Sequence, residues 1–224
     1  GVVTAVELNA NGSEKQQVGT ALTDVNGAYE LTLSSGYTGG ALLIKLSAGA
    51  GSKMICDAIA GCNGAAYGVE MDLPANFGMN AISPPVAAGS VVKTQVTPFS
   101  HMAASAAVGE MANGIAPATA VGNAVTQINS IVGVDILDTQ PVDITSPSAV
   151  AGATPEQQQY ALFNAAFADV VANSGGDMSA VLNNYATEFA DGDFEANPAV
   201  NLNDLIQAVD AQLSDPRNDD LNDE

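Results

Sequence analysis

Apolar positions change their period once along this chain. Before Thr97 they alternate with polar ones, the two-residue period of a pleated strand; after it they recur at three and four, the period of a helix. Residues 2–8 set Val2, Thr4, Val6 and Leu8 on one face, and the turn Asn9-Ala10-Asn11-Gly12-Ser13 follows. A second strand is predicted over 17–23. Asp24-Val25-Asn26-Gly27 then carries the Asn-Gly hairpin signal, ahead of Tyr29, Leu31 and Leu33 alternating with Glu30 and Thr32. The continuous apolar run 41–46 reads as a central strand, with shorter strands around 53–55, 67–73 and 90–96. Six or seven short strands at this spacing predict a sandwich.

Thr97-Pro98 places an N-cap residue before a proline at the first helical position, opening an alanine-rich helix that closes at Gly114. Val121, Val125, Ile128 and Val132 form the stripe of a second helix, ended by Gly133; an extended, proline-punctuated linker is expected over 134–153. Thr154-Pro155-Glu156-Gln157 has the form of a capping box and starts a helix with Tyr160, Phe163, Phe167, Val170 and Val171 on its buried side. Two more helices follow, one on Met178, Val181, Leu182, Tyr185 and Phe189, the last on Leu202, Leu205, Ile206, Val209 and Leu213. The class is therefore α+β: an N-terminal antiparallel β-sandwich over 1–96, a bundle of about five helices over 97–214, and an acidic tail over 215–224 that is expected to fray.

Charge narrows the partners. Five Lys and Arg stand against 25 Asp and Glu, a formal net charge of −20. The basic residues (Lys15, Lys45, Lys53, Lys93, Arg217) are scattered, so neither nucleic acid nor an anionic membrane surface is expected to bind. Such a surface suits a saline exterior, where salt screens its self-repulsion. The chain starts at Gly1 with neither a signal peptide nor an apolar run of membrane length, and is expected to be either a processed, mature chain or a piece of a longer one.

Cys56 and Cys62 are the only cysteines. Two thiols are too few for a structural zinc site, and the five residues between them, one a glycine, allow a small closed loop. A disulfide is the favoured reading over two free thiols, and it points to an oxidising, extracellular compartment.

No catalytic residue is expected. His101 is the only histidine, and Ser100, its immediate neighbour on a helix, points elsewhere; there is no Gly-x-Ser-x-Gly elbow. Asp191-Gly192-Asp193-Phe194-Glu195 resembles the opening of a calcium loop, making Asp191, Asp193 and Glu195 weak calcium candidates. The register then needs Gly and Glu where Ala196 and Leu202 stand, and a solvated loop is the competing reading. Asp219, Asp220, Asp223 and Glu224 offer a second weak calcium position. The chain lacks Trp and is poor in other aromatic residues, which counts against sugar-stacking sites; Tyr29, Tyr37 and Tyr67 are the few candidates, and the methionines are spaced for packing.

The segment Gly19-Thr20-Ala21-Leu22-Thr23-Asp24-Val25-Asn26-Gly27-Ala28-Tyr29-Glu30-Leu31 resembles the T-D-x-N-G-x-Y-x-L signature of carboxypeptidase regulatory-like domains. Stretches 96–104 and 141–193 are similar to the helical region following that sandwich in secreted and lipid-anchored bacterial proteins. The resemblance implies a transthyretin-like sandwich with a structural or adhesive role and no catalytic residues to transfer. It also implies a strand ahead of residues 2–8, so that Val2, Thr4, Val6 and Leu8 become interface candidates beside an open sheet edge. Upstream sequence or a neighbouring subunit adding a strand would fill it. The function expected is an extracellular structural module of a bacterial cell-surface protein or filament, with protein partners, either copies of itself or neighbouring domains. An adhesion module for glycan or protein, or an accessory domain of a secreted hydrolase, are the alternatives.

Overall fold

A computed structural model describes residues 1–175, 177–191 and 200–221. It has the mixed α+β class expected. Eight strands come first: β1 (Val2–Leu8), β2 (Glu14–Leu22), β3 (Leu31–Thr32), β4 (Leu42–Ser47), β5 (Lys53–Ile55), β6 (Glu70–Asp72), β7 (Gly78–Ser83) and β8 (Val91–Val92). Then come α1 (Pro98–Ala112), α2 (Pro117–Val132), the single-turn α3 (Pro147–Val150), α4 (Pro155–Ser174), α5 (Met178–Asp191), α6 (Leu202–Ser214) and a 3-10 segment, Pro216–Leu221.

The main sheet is antiparallel with order β2-β1-β4-β7, while β3 pairs with β8 and β5 with β6. Its alternation is two-sided. Val3, Ala5, Leu42, Ile44 and Ala81 point to one core, where Leu31, Leu33, Tyr37 and Val92 from the β3–β8 layer cover them. Val6, Leu8, Leu43 and Ile82 point the other way, into a core shared with α1, α2, α4, α5 and α6. The apolar run at 41–46 is thus apolar because both its faces are buried. The change of period at Thr97 marks a change of element, and the helix-side core runs continuously through it.

Local chemistry explains the helix starts. Thr97 and Ser100 form a capping box on α1, and Thr154 and Gln157 another on α4, each with proline in the first turn. The Thr97 hydroxyl also meets the Tyr160 hydroxyl at 2.6 Å, so the cap of α1 is tied to the first half of α4.

Several expectations change. Strand β1 is not beside an open edge: β2 and β4 flank it, so Val2, Thr4, Val6 and Leu8 lie inside the sheet, with Val6 and Leu8 in the helix-side core. The edges are β2 and β7, and both are partly closed. At β7 the outward Asn80 N–H donates to His101 Nδ1 at 2.9 Å, and the Asn80 carbonyl accepts from Ser100 Oγ at 3.4 Å. At β2 the Val18 carbonyl accepts from Ser34 N at 2.7 Å. Strand β7 itself was hidden, because its apolar residues are interrupted by Asn80 and flanked by glycine and proline. The Asn-Gly turn does not join a paired hairpin. Gly27, at φ +80°, closes a turn around Asp24, whose carboxylate accepts from Asn26 N and Ala28 N, and the chain then crosses to pair β3 with β8. Residues 215–221 do not fray; they fold back as the 3-10 segment.

Glu7 is the charged residue on the β3-side face of β1, in register with Val3 and Ala5 and 1% exposed. It is stapled into place. Thr38 Oγ1 donates to it at 2.5 Å, Gln16 Nε2 at 2.9 Å, Gly40 N at 3.1 Å and Lys15 Nζ at 3.2 Å. Burial works to raise this carboxyl, and the bonds from Thr38, Gln16, Gly40 and Lys15 outweigh it, holding it at about 2. A carboxylate depressed from its ordinary 4.5 stabilises the fold above that pH and loses the contribution as pH falls toward 2. Glu7→Gln should therefore cost about 2 kcal/mol at pH 7 in urea denaturation and flatten the loss of stability between pH 4.5 and 2. An unchanged acid limb in the variant would remove Glu7 from this role.

Candidate functional site

The Cys56–Cys62 disulfide forms as the spacing suggested, with the Cα atoms 5.7 Å apart. It closes the loop leaving β5, and β5 and β6 carry that loop between the sheet and the C-terminal helices. The loop is gripped from the far end of the chain. Asp169 on α4 accepts from Ile59 N at 2.7 Å and, through its other oxygen, from Gln212 Nε2 at 2.7 Å. Gln212, on α6 and fully buried, also donates to the Asp57 carbonyl at 3.0 Å and accepts from Asn218 Nδ2 at 2.6 Å. The Tyr67 hydroxyl lies 2.8 Å from Asn218 Oδ1 and 3.2 Å from the Ile144 carbonyl. Arg217 stacks over the Tyr67 ring, 4.3 Å from its centroid, holds Asp215 bidentately and reaches the Ile59 carbonyl at 3.1 Å. Every polar atom of Gln212 thus has a partner, which is what its complete burial requires.

Next to this network two oxygens have none. Asp57 Oδ1 and Asn164 Oδ1 are both shut off from solvent without a hydrogen-bond donor. Asn164, on α4, spends its amide on the Tyr160 carbonyl at 2.7 Å. Both residues line a cleft of about 300 Å³ between the sheet end and α4–α5, whose other walls are mostly apolar: Leu46, Met54, Phe77, Met79, Phe167 and Met178 among them. Both also line a wider hollow of about 790 Å³ edged by Asp24, Glu70 and Asp143, so they stand at its junction with the apolar cleft. Burial pushes the Asp57 carboxyl up to about 7 against a bond from its own backbone N–H, and the neighbouring carboxylates of Asp169 and Asp143 push it up as well.

The residues singled out in the sequence fall elsewhere. His101 sits in the α1–β7 contact; burial holds its ring below the usual histidine range, against a bond with Asn183. Tyr29 donates to the Thr94 carbonyl at 2.5 Å and Tyr37 to the Gly40 carbonyl at 2.6 Å, so both are packing residues with their hydroxyls used. Of the calcium candidates, Asp193 and Glu195 lie outside the described residues, and for Asp191 only the backbone at the end of α5 is described. Asp223 and Glu224 also lie outside them, while Asp219 is in the 3-10 segment. Among the described residues, no three acidic, histidine or cysteine side chains gather as metal ligands, and no helix is long and apolar enough to cross a membrane.

Asp57 and Asn164 escaped notice because neither belongs to a spaced motif. The available signals were an acid directly following a cysteine expected to be bridged, and an asparagine one turn after Tyr160 on a stripe-bearing helix. No family model matches the chain, nor does any curated protein or solved structure.

Two outcomes are expected. Replacing Cys56 and Cys62 by serine should cost about 2 kcal/mol, the closure entropy of so short a loop, with release of the Arg217 and Gln212 contacts seen as faster amide exchange in α6. For Asp57 the sign is reversed relative to Glu7: a raised carboxyl favours the fold below its unfolded pKa of 3.8 and loses that contribution as pH rises to about 7. Asp57→Asn should be more stable than wild type by about 1–3 kcal/mol at pH 8, and the two should converge below pH 4. Parallel melting curves across that range would contradict the burial of this charge.

Proposed function

We propose that this chain is an extracellular structural module of a bacterial cell-surface protein, a stiff body that holds position and presents a surface rather than turning over a substrate. The observation that carries the reading is the disulfide, together with what is built on it. A bridged loop persists in oxidising compartments, and here it is the anchor for the C-terminal segment through Gln212, Arg217 and Asn218. The net charge of −20 and the resemblance of residues 19–31 to the surface-domain signature support the same reading.

Association through strand addition at β1 is dropped, because β1 has partners on both sides. Partners, whether copies of the chain or neighbouring domains, would meet it through side chains. The partly exposed β2 edge ends in Leu22, and the following loop tip presents Val25, 99% exposed on its closed Asx turn.

The experiment is protease shaving of intact cells of the native host, with mass spectrometry under non-reducing conditions. Peptides spanning residues 54–67 are expected to be released from outside the cell with Cys56 and Cys62 joined. Recovery only from lysed cells, with both thiols reduced, would sink the proposal. Negative-stain microscopy of the purified chain separates a filament subunit, which forms ordered polymers, from a pendant module, which stays dispersed.

A further inference from the structure

We propose that the cleft between the sheet end and α4–α5 is a binding site for a small organic cation, an amine carrying an apolar body, with Asp57 and Asn164 receiving the ammonium group. This goes beyond the surface-module reading and does not depend on it.

The argument begins with the two buried oxygens. An acceptor enclosed by protein without a donor destabilises the fold, and such a group is retained where something else repays it. Of the three such atoms among the described residues, Asp57 Oδ1 and Asn164 Oδ1 belong to residues that line the same apolar cleft, while Glu188 Oε2 lies elsewhere. Neither can satisfy the other while Asp57 is ionised, since both are acceptors. A ligand that bridges them must bring donors. An ammonium group brings three and a positive charge; a hydroxyl brings one and no charge.

Charge points the same way. Asp169 and Asp143 act on the Asp57 carboxyl, and Asp24, Glu70 and Asp143 line the hollow through which it is approached. Of the cations there, Lys53 lines both spaces and is paired with Glu70 at 3.1 Å, and the Gly1 ammonium, on the wider hollow, donates to Thr23 Oγ1 at 2.7 Å. Asp169, a buried acid that acts on Asp57, already has a donor on each oxygen, from Ile59 N and Gln212, so Asp57 is the carboxylate left to take a guest. An anion entering here would meet unpaired acceptors and like charges.

The cleft sets the other half of the ligand. About 300 Å³ accommodates a body of roughly ten to fifteen non-hydrogen atoms. Three of its wall residues, Met54, Met79 and Met178, are half-buried methionines, whose flexible thioethers adapt to a range of apolar shapes. That favours alkyl or arylalkyl amines as a class over a single rigid compound.

The test is calorimetric titration of the intact chain at pH 7.5 with n-octylammonium, n-octanol, octanoate and ethylammonium, each below its aggregation limit. Octylammonium should bind saturably at one site, at least tenfold tighter than octanol or ethylammonium, with no heat from octanoate. Asp57→Asn should weaken octylammonium at least tenfold while melting no lower than wild type. That variant changes the net charge by a single unit out of −20, so diffuse attraction to the surface would survive it and site binding would not. Ala168→Leu, which narrows the cleft from α4, should abolish binding. Equal binding of octanol and octylammonium, undiminished binding by Asp57→Asn, or a stoichiometry well above one would each overturn the proposal.

Discussion

The main sheet is buried on both faces, and the rest of the architecture follows from that. A four-stranded antiparallel sheet with one wet face would need one covering layer. Here Leu42 and Ile44 look one way while Leu43 looks the other, so two layers must form, the small β3–β8 layer on one side and the helices on the other. Helix α1 can cover its side only if it starts in the right place, and the capping box at Thr97, tied to Tyr160, fixes that start.

Two buried carboxylates show how differently such a body can treat the same chemical group. Glu7 is given five donors, from Lys15, Gln16, Thr38 and Gly40, and becomes a fastening between β1, β2 and the loop before β4. Asp57 is enclosed with an oxygen left over and sits against apolar walls. The first arrangement supports the fold; the second works against it, and a group that works against its own fold is where occupancy by something else has the most to offer.

What could be read in the sequence divides along physical lines. Helix positions were legible because caps and stripes are local: Thr154 to Gln157 and Tyr160 to Phe167 need no knowledge of the rest of the chain. Cys56 and Cys62 were legible because a short loop limits their options. Strand pairing was not, since it depends on residues tens of positions apart. Glu14–Leu22 was recognisable in part as a strand, but nothing local says that β1 lies between β2 and β4 instead of at an edge. The polar network was hidden for the same reason. Gln212 and Asn218 look like ordinary residues near an acidic C-terminus, and their role exists only once Asp57 and Tyr67, some 150 positions earlier, are brought beside them.

The contact between α1 and β7 has a further consequence. The imidazole of His101 covers the Asn80 amide by accepting its hydrogen bond at Nδ1, which requires the neutral ring. In sufficiently acid surroundings that ring becomes a donor, the amide faces repulsion instead of attraction, and the outer margin of the sheet is uncovered. An uncovered margin is a template for pairing with another molecule. The burial that disfavours protonation of this ring thus keeps the Asn80 amide covered near neutrality.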